Sequence, residues 1–452
     1  MIKREVPCAL TIAGSDSSGG AGIEADLKTF AALKVFGTCA ITAVTAQNTQ
    51  GVYDIHPIPP RMVERQIEVV LEDIPVKAAK TGMLYSKEIA DAVAGALDRH
   101  ELQVVVDPVF RAGTGSLLIC EEEKEDLIEA FVTRSFVSTP NKYEAEDMAQ
   151  MRIRTIDDMK KAASKISRLG AKAVVVKGGH LNGEDVKDVL YYDREFKVFT
   201  KPRVEVEAHG GGCTFSAAIA AYLALDYDVV GAVTNAEEFI HNAITFGSKV
   251  GKGRVPVNPV ANLFNDAEKH EVLEDVFAAA KMIEDHSEFS PYVAEVGTQI
   301  AMALPYASTK WHVAAVEGRI VKLDKRVRAV GCARFGVSDH VARIVLTAMR
   351  HNPSKRAALN LRYDQDLVEA FKKLGQVVSS FDRRLEPPEV KAAEGVTLIW
   401  GVNEVIKAAG RVPDVVYDLG EVGKEPMIRV LGSSAMDVVE KSLASIKRRE
   451  HG

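Results

Sequence analysis

Short apolar runs alternate with amphipathic segments along the first half of the chain. The run "CALTIAG" is followed by "IEADLKTFAALK", in which Ile23, Leu27, Phe30 and Ala31 share one face of a helix. The same alternation recurs as far as "KAVVVKGG". Strands that alternate with helices over this length predict a mainly parallel sheet with helices on both faces, which is the α/β class.

Glycine-rich and polar segments follow the predicted strands of this half. They read, in chain order, "GSDSSGGAG", "QNTQG", "TGM", "DPVFRAGTG", "PNKYE" and "KGGH". Each alone is typical of an ordinary turn. In a parallel sheet, however, ligands bind beyond the carboxyl ends of the strands, and all six segments should meet at that one edge. Their order and convergence therefore predict a common site.

A stretch rich in glycine, proline and asparagine separates the first half from the rest, at about residues 253–266. We predict a first domain over residues 1–262 and a second, smaller α/β domain over residues 270–452. In the second domain, "WHVAAVEGRIVKLD" predicts a pair of strands with Arg319 at the turn between them.

Two helix starts carry residues that favour capping. Thr155 precedes an amphipathic run, Asp158 follows three residues later, and Gly170 is the expected stop. In the second domain, Ser338 is predicted to cap the helix "SDHVARIVLTAMRHN", which places His340 in its first turn. A histidine at that position can exchange a proton or a hydrogen bond.

The composition argues against two classes of partner. Of the 452 residues, 47% are hydrophobic and 27% are charged, and a formal net charge of −6 favours neither nucleic acid nor a membrane surface. No apolar run approaches the roughly 20 residues that span a bilayer. The first residues do not read as a secretory signal.

Five cysteines without a CxxC pair are typical of a reducing compartment, so we expect a cytoplasmic protein.

The segment "HGGGCTFSAAIAAY", residues 209–222, predicts a glycine loop that opens a helix. Backbone N–H groups at such a helix start can bind phosphate, which assigns Gly210, Gly211 and Gly212 to phosphate binding. Cys213 stands where sugar kinases carry a catalytic aspartate. The positive end of the helix dipole predicts a lowered pKa for its thiol.

Taken together, these segments resemble the hydroxymethylpyrimidine and phosphomethylpyrimidine kinases of the ribokinase-like superfamily. The resemblance covers roughly residues 6–262 and includes "TIAGSDSSGGAGIEADLKTF", "TAVTAQNTQGV", "STPNKYEAE" and "GGGCTFSAAIAA". It implies ATP-dependent phosphorylation of the hydroxymethyl group of a pyrimidine, followed by phosphorylation of the resulting monophosphate. ATP as cosubstrate and Mg²⁺ are both implied.

The resemblance also implies roles for individual residues of the first domain. Our hypothesis is that Cys213 acts as the base that takes the alcohol proton, and a second role is only to shape the pocket beside the ring. The resemblance places Lys177 near the transferred phosphate. The other implied positions are Asp26 and Gln47 as hydrogen-bond partners of the aminopyrimidine, Gly14, Met83 and Val109 as lining of its pocket, Asn141 and Glu144 as the group that organises Mg²⁺ and phosphates, and Asp107 near the metal.

The second domain resembles the thiamine-phosphate synthase domain that is found fused behind this kinase. The segments "VAAVEGRIV", "RFGVSDHVARIVLTAM", "ALNLRYD" and "EPMIRVLG" recur in order. The implied reaction joins the pyrimidine diphosphate to a thiazole phosphate and releases pyrophosphate. Arg319 and His340 match residues critical in that family. The residue types also make four arginines candidates for phosphate contacts, namely Arg319, Arg334, Arg362 and Arg383.

Two alternatives stay open from the sequence. The first domain is also compatible with a kinase for pyridoxal-type substrates, and the second with a sensor that binds thiamine phosphate without catalysis. Kinases of this superfamily commonly dimerise, so a homodimer is expected by analogy. The expected partners are otherwise small molecules: the pyrimidine and its phosphates, and the thiazole phosphate.

Overall fold

The chain folds into two units, Met1–Asn262 and Leu263–Gly452, and each is built around its own sheet. The computed structural model describes residues 5–111, 118–119, 121–392 and 397–450. Cys120 and most of the segment "RAGTG" lie outside the described residues.

Eight strands form the main sheet of the first unit, in the order β10-β9-β8-β7-β6-β5-β1-β2. The strands of this unit are β1 Cys8–Ala13, β2 Phe36–Ile41, β3 Ala43–Asn48, β4 Gly51–Pro57, β5 Val76–Thr81, β6 Gln103–Val106, β7 Val137–Ser138, β8 Ala173–Val176, β9 Asp185–Tyr192, β10 Glu195–Pro202, β11 Ala208–His209 and β12 Val255–Pro256. All neighbours from β2 to β8 pair in parallel, and the two antiparallel pairs, β8 with β9 and β9 with β10, lie at one edge. The predicted mainly parallel sheet is confirmed.

Helices cover both faces of this sheet because successive strand residues point to opposite sides. Ala9 of β1 packs with α1, α7 and α8, whereas Leu10 and Ile12 pack with α2, α3 and α4. These helices, with α5 and α6, are α1 Gly22–Ala32, α2 Pro60–Asp73, α3 Lys87–Leu97, α4 Lys124–Thr133, α5 Lys142–Ala149, α6 Ile156–Arg168, α7 Gly211–Ala224 and α8 Val229–Thr245. The predicted cap of α6 is confirmed, since Thr155 and Asp158 form a capping box.

The second unit contains a seven-stranded sheet in the order β17-β14-β13-β18-β21-β20-β19. Its strands are β13 Ile300–Ala303, β14 Val313–Val316, β15 Ile320–Leu323, β16 Arg326–Ala329, β17 Ala333–Phe335, β18 Ala357–Arg362, β19 Val378–Ser380, β20 Val415–Asp418 and β21 Met427–Gly432. The pairs are antiparallel except β19 with β20. The predicted strands around Arg319 exist as β14 and β15, but β15 pairs with β16 in a separate hairpin.

Helices pack on both faces of this second sheet as well. The helices of this unit are α9 Ala261–Glu284, α10 His340–His351, α11 Gln365–Lys373, α12 Pro388–Ala392, α13 Thr397–Ala409 and α14 Ala435–Glu450. The predicted cap of α10 is wrong: Asp339, not Ser338, is the N-cap residue, and it makes no side-chain capping hydrogen bond. The Asp339 carboxylate instead accepts two hydrogen bonds from the Arg343 guanidinium.

Across the described ranges, every helix is too short or too polar to cross a lipid bilayer.

Candidate active sites

A cavity of about 1080 Å³ opens at the carboxyl ends of the parallel strands in the first unit. Gly14 follows β1, Asp107 follows β6 and Lys177 follows β8, so the strand order brings together residues far apart in sequence. The predicted site residues that line it are Gly14, Gln47, Met83, Asp107, Val109, Asn141, Glu144, Lys177, Gly210, Gly211, Gly212 and Cys213.

Lys177 and Asp107 form an ion pair in the wall of this cavity. The Lys177 Nζ donates to Asp107 Oδ1 at 2.9 Å, and the Thr139 hydroxyl donates to the same oxygen at 3.3 Å. Burial disfavours the charged form of Lys177 and would lower its pKa. The carboxylates of Asp107 and Glu144 favour the charged form and have the larger effect, so the pKa of Lys177 is raised. Lys177 therefore presents a permanent positive charge to the cavity.

The start of helix α7 lies beside this ion pair. A Cβ atom on Gly212 would lie 3.2 Å from Lys177 Nζ and 3.3 Å from Asp107 Oδ2. Gly210 has a φ of 81°, and a Cβ there would lie 1.7 Å from the Gly20 carbonyl oxygen, so only glycine fits. The first helical hydrogen bond is donated by Thr214 to Gly210. The N–H groups of residues 211–213 therefore have no acceptor within the helix, and such groups can bind an anion.

Cys213 is the third residue of α7, yet its thiol is not activated. Burial disfavours the thiolate, the carboxylates of Asp26 and Asp107 repel it, and together these effects raise the thiol pKa to about 11 despite the nearby Lys80. The lowered pKa expected from the helix dipole is therefore wrong, because desolvation and two carboxylates outweigh the dipole. The thiol is neutral at pH 7 in the free protein.

Alkylation of Cys213 by iodoacetamide should consequently be slow at pH 8. We expect a rate about 100-fold below that of an ordinary exposed thiol, since the thiolate fraction sets the rate. The rate should still rise above pH 10. Mass spectrometry of peptides after digestion separates Cys213 from Cys332, which is exposed and serves as the internal reference. A Cys213 rate that levels off below pH 8 would contradict the raised pKa.

Asn141 and Glu144 open helix α5 as a capping box. The Asn141 Oδ1 accepts from the Glu144 N–H at 3.0 Å, and Glu144 Oε2 accepts from the Asn141 N–H at 2.7 Å. Burial, with repulsion from Asp107, raises the pKa of Glu144 to about 8 although Lys177 opposes the shift. No group of three metal-ligating side chains occurs in the described part of the chain. The oxygen atoms of Asp107 and Glu144 are of the kind that Mg²⁺ prefers. In proteins Mg²⁺ is commonly bound by one or two carboxylates together with the phosphates of a substrate.

The predicted pyrimidine-binding residues divide into two groups. Gly14, Gln47, Met83 and Val109 line the cavity, and Gln47 Nε2 lies 3.2 Å from His209 Nε2. Asp26 does not line the cavity, because it is fully buried against Lys80.

Asp26 and Lys80 form a buried ion pair with no exposed side-chain surface. Their Oδ2 and Nζ atoms lie 2.8 Å apart, and the Thr11 hydroxyl donates to the same Asp26 oxygen at 2.6 Å. Asp26 Oδ1 has no hydrogen-bond partner among the described residues. Burial alone would lower the pKa of Lys80, but the Asp26 carboxylate has the larger effect and raises it. Lys80 itself lines the cavity, whereas Asp26 does not.

The sequence reasoning missed several residues that line this cavity. Lys80 lies in β5 immediately before the segment "TGM". His209 begins the glycine loop, and its Nε2 lies 2.8 Å from Asp16 Oδ2. Asp188 and Glu237 share a hydrogen bond, and burial with that neighbour raises the pKa of Glu237 to about 9. No sequence signal marks these two, because β9 and α8 bring them together only in the fold.

The second unit contains a cavity of about 720 Å³, which Arg319 and His340 both line. Arg319 follows Gly318 at the turn and has a φ of 71°, a left-handed conformation that non-glycine residues rarely adopt. Its guanidinium donates to the Val296 carbonyl. His340 is the first residue of α10 and is exposed.

The four candidate arginines do not all belong to this cavity. Arg383 lines it together with Arg319, whereas Arg334 and Arg362 do not. Arg334 pairs with Glu317 at 3.0 Å on the surface. Arg429 also lines the cavity and was missed, because it alternates with apolar residues inside β21.

Comparison with known families agrees with this division into two sites. The family model described as "Phosphomethylpyrimidine kinase" matches residues 16–258. The family model described as "Thiamine-phosphate synthase ThiN" matches residues 275–444.

Individual relatives show the same pattern. The bifunctional thiamine biosynthesis protein ThiDN of Methanocaldococcus jannaschii is 35% identical over 96% of both chains. The hydroxymethylpyrimidine/phosphomethylpyrimidine kinase of Aquifex aeolicus is 42% identical over 54% of this chain and 97% of its own length. The pyridoxal kinase of Staphylococcus aureus, solved with pyridoxal, is 35% identical with a TM-score of 0.53, over 57% of this chain and 95% of its own.

Proposed function

The chain belongs to the family of phosphomethylpyrimidine kinases that carry a thiamine-phosphate synthase ThiN domain, and on that premise we propose which residues carry its two reactions. It is a bifunctional enzyme of thiamine biosynthesis. It phosphorylates hydroxymethylpyrimidine and its monophosphate with ATP, and it joins the diphosphate to thiazole phosphate to give thiamine phosphate and pyrophosphate. The kinase assignment rests above all on the Lys177–Asp107 pair beside the start of α7.

Phosphoryl transfer is mainly a matter of positioning and charge stabilisation. We propose that Lys177 and the N–H groups of residues 211–213 stabilise the oxygens of the transferred phosphoryl group, because they meet at one point of the cavity. Asp107 and Glu144 would hold Mg²⁺, with the Asn141 backbone N–H fixing the Glu144 carboxylate. Because burial raises the pKa of Glu144 to about 8, the metal would bind as that carboxyl group loses its proton. When bound, Mg²⁺ neutralises charge on the phosphates.

The pyrimidine end of the site comprises Gln47, Gly14, Met83 and Val109. The Gln47 amide suits the donor and acceptor atoms of an aminopyrimidine, and the other three provide apolar walls. Asp26 acts through Lys80 on this proposal, because it lies behind that side chain.

Cys213 has two possible roles beside the hydroxymethyl group. A base must be unprotonated when the alcohol proton leaves, and the raised pKa keeps this thiol protonated in the free protein. We therefore favour the role in which Cys213 shapes the pocket beside the ring. Base catalysis by Cys213 would require the bound substrates to lower its pKa.

In the second unit we propose Arg319 and His340 as the catalytic pair. The reaction breaks the bond between the pyrimidine methylene carbon and the diphosphate oxygen, and it forms a bond from that carbon to the thiazole nitrogen. Arg319 would stabilise negative charge on the departing pyrophosphate, and His340 would hydrogen-bond the leaving group or the thiazole.

A homodimer is part of the proposal, by analogy with the superfamily. The apolar side chains of Val44 and Tyr53 support it, since both are exposed on the β3–β4 hairpin, where a partner can cover them.

Substrate preference tests the kinase assignment against the pyridoxal alternative. We expect the purified full chain to convert pyrimidine monophosphate to the diphosphate with ATP. We also expect a kcat/KM for the pyrimidine alcohol about 10- to 100-fold above that for pyridoxal. Polar groups of the site that pair with the atoms of the pyrimidine ring would lack partners when pyridoxal is bound. Anion-exchange chromatography of the products measures both. Comparable pyridoxal turnover without any diphosphate would support the alternative.

A further inference from the structure

Two buried arginines share one carboxylate in the wall of the second cavity. The Asp418 Oδ1 accepts from Arg383 Nε at 2.6 Å, and Asp418 Oδ2 accepts from Arg429 Nη1 at 2.6 Å. The Gly420 N–H donates to Oδ1 as well, at 2.9 Å. Asp418 is itself fully buried at the end of β20. It therefore holds both guanidiniums in fixed orientations.

The charges of this cluster do not balance. Arg383 is 7% exposed and Arg429 is 3% exposed, and within this hydrogen-bonded cluster the two buried cations share the single carboxylate of Asp418. Burial and the neighbouring Arg383 lower the pKa of Arg429 although Asp418 opposes the shift. One ion pair with Asp418 would be enough for a purely structural link. A second buried cation is costly unless another anion accompanies it.

The unused hydrogen-bond donors are available to such an anion. The Asp418 carboxylate accepts hydrogen bonds from Nε and Nη2 of Arg383 and from Nη1 of Arg429. Over the ranges that the structure describes, the remaining N–H groups of the two guanidiniums have no partner. Both residues line the cavity, and both stack over the Phe381 ring at 5.8 Å, which restricts their movement.

The synthase substrates supply the matching chemistry. The pyrimidine diphosphate and the thiazole phosphate bring three phosphate groups into the reaction, and Arg319 alone does not match that charge. Arginine forks bind phosphate in a bidentate manner, and arginine is favoured over lysine where geometry matters. Leu398, Met427 and Ile344 add apolar wall for a heteroaromatic ring in the same cavity.

We propose that Arg383 and Arg429, positioned by Asp418, form a binding site for a phosphate group of a synthase substrate, separate from the contact assigned to Arg319. The proposal rests on the synthase function given above. It assigns Asp418 as a positioning residue, because that side chain reaches the ligand only through the two arginines.

The variant Arg429→Lys tests the site, because it keeps the positive charge and removes the planar guanidinium that can donate two parallel hydrogen bonds to phosphate. We expect it to weaken binding of one phosphorylated substrate at least 10-fold, measured by titration calorimetry on the full chain. Binding of the thiazole alcohol, which lacks the phosphate, should not change. Titrations with thiazole phosphate and with pyrimidine diphosphate show which of the two uses the site. The matched control is Arg328→Lys, whose side chain is 72% exposed in another hairpin.

A folded Arg429→Lys chain that binds both phosphorylated substrates as wild type does would overturn the proposal. If the variant does not fold, modification of the wild-type chain by phenylglyoxal decides instead. Pyrophosphate or thiazole phosphate should slow modification of Arg383 and Arg429 at least 5-fold, and no protection by either compound would overturn the proposal. Failure of the synthase function itself is distinct: wild type would then make no thiamine phosphate from supplied diphosphate and thiazole phosphate.

Discussion

Replacing Lys177 with methionine is expected to lower kcat for pyrimidine phosphorylation by about 10²- to 10³-fold, the usual loss when one group that stabilises transition-state charge is removed. The Lys177 ammonium is fixed by Asp107 at 2.9 Å and lies beside the start of α7. Because the missing interaction develops mainly in the transition state, KM for the pyrimidine should change much less than kcat. Steady-state kinetics with a coupled ADP assay gives both constants.

The control for this variant is Lys160→Met, which removes a lysine from the outer side of helix α6. It should leave both constants within about 2-fold, as expected for surface substitutions. A Lys177→Met chain with wild-type kcat would show that Lys177 does not act on the transferred phosphoryl group.

Replacing Lys80 with methionine is expected to destabilise the first unit by about 3–5 kcal/mol, because it leaves the Asp26 carboxylate buried and uncompensated. The pair has no exposed side-chain surface, and a methionine would occupy the space of the lysine side chain without supplying a charge for Asp26. The double variant Asp26→Asn with Lys80→Met should recover most of the loss. An asparagine oxygen can still accept the Thr11 hydroxyl hydrogen bond.

The matched control is Lys77→Met, on the same strand β5. Lys77 pairs with Asp226, but both side chains are about half exposed or more, and such pairs contribute at most about 1 kcal/mol. Urea unfolding followed by circular dichroism reports both units. Tryptophan fluorescence reports only the second, because both tryptophans, Trp311 and Trp400, lie there. Equal effects of Lys80→Met and Lys77→Met would contradict the buried-pair argument.

The architecture of the first unit was predictable because its signals are local. Alternating strands and helices imply a parallel sheet, and the strand order then brings Asp107, Asn141 and Lys177 to one edge. Thr155 shows the same point on a smaller scale, since its capping box depends only on neighbours three residues apart.

What the sequence did not predict depends on contacts between distant residues. The thiol of Cys213 follows a helix start, but its pKa is set by burial and by Asp26 and Asp107, which are far away in sequence. The same holds for the shielding of Asp26 by Lys80, since the two are 54 residues apart.

The second unit shows a further limit. Ser338 precedes α10 in a pattern typical of a cap, but the helix begins one residue later than that pattern implies. Arg429 sits among apolar residues of a buried strand, where a sequence pattern marks only core. Its relation to Arg383 appears only when β20 and β21 place Asp418 between them.

The central claim is that one chain makes the pyrimidine diphosphate at one site and consumes it at another. The most direct measurement is thiamine phosphate formation by wild type and by Lys177→Met, each given pyrimidine alcohol, thiazole phosphate, ATP and Mg²⁺, with and without added pyrimidine diphosphate. We predict product from wild type in both mixtures, and product from the variant at the wild-type rate only when the diphosphate is added. No product from wild type even with added diphosphate, or equal product from the variant without it, would contradict the claim.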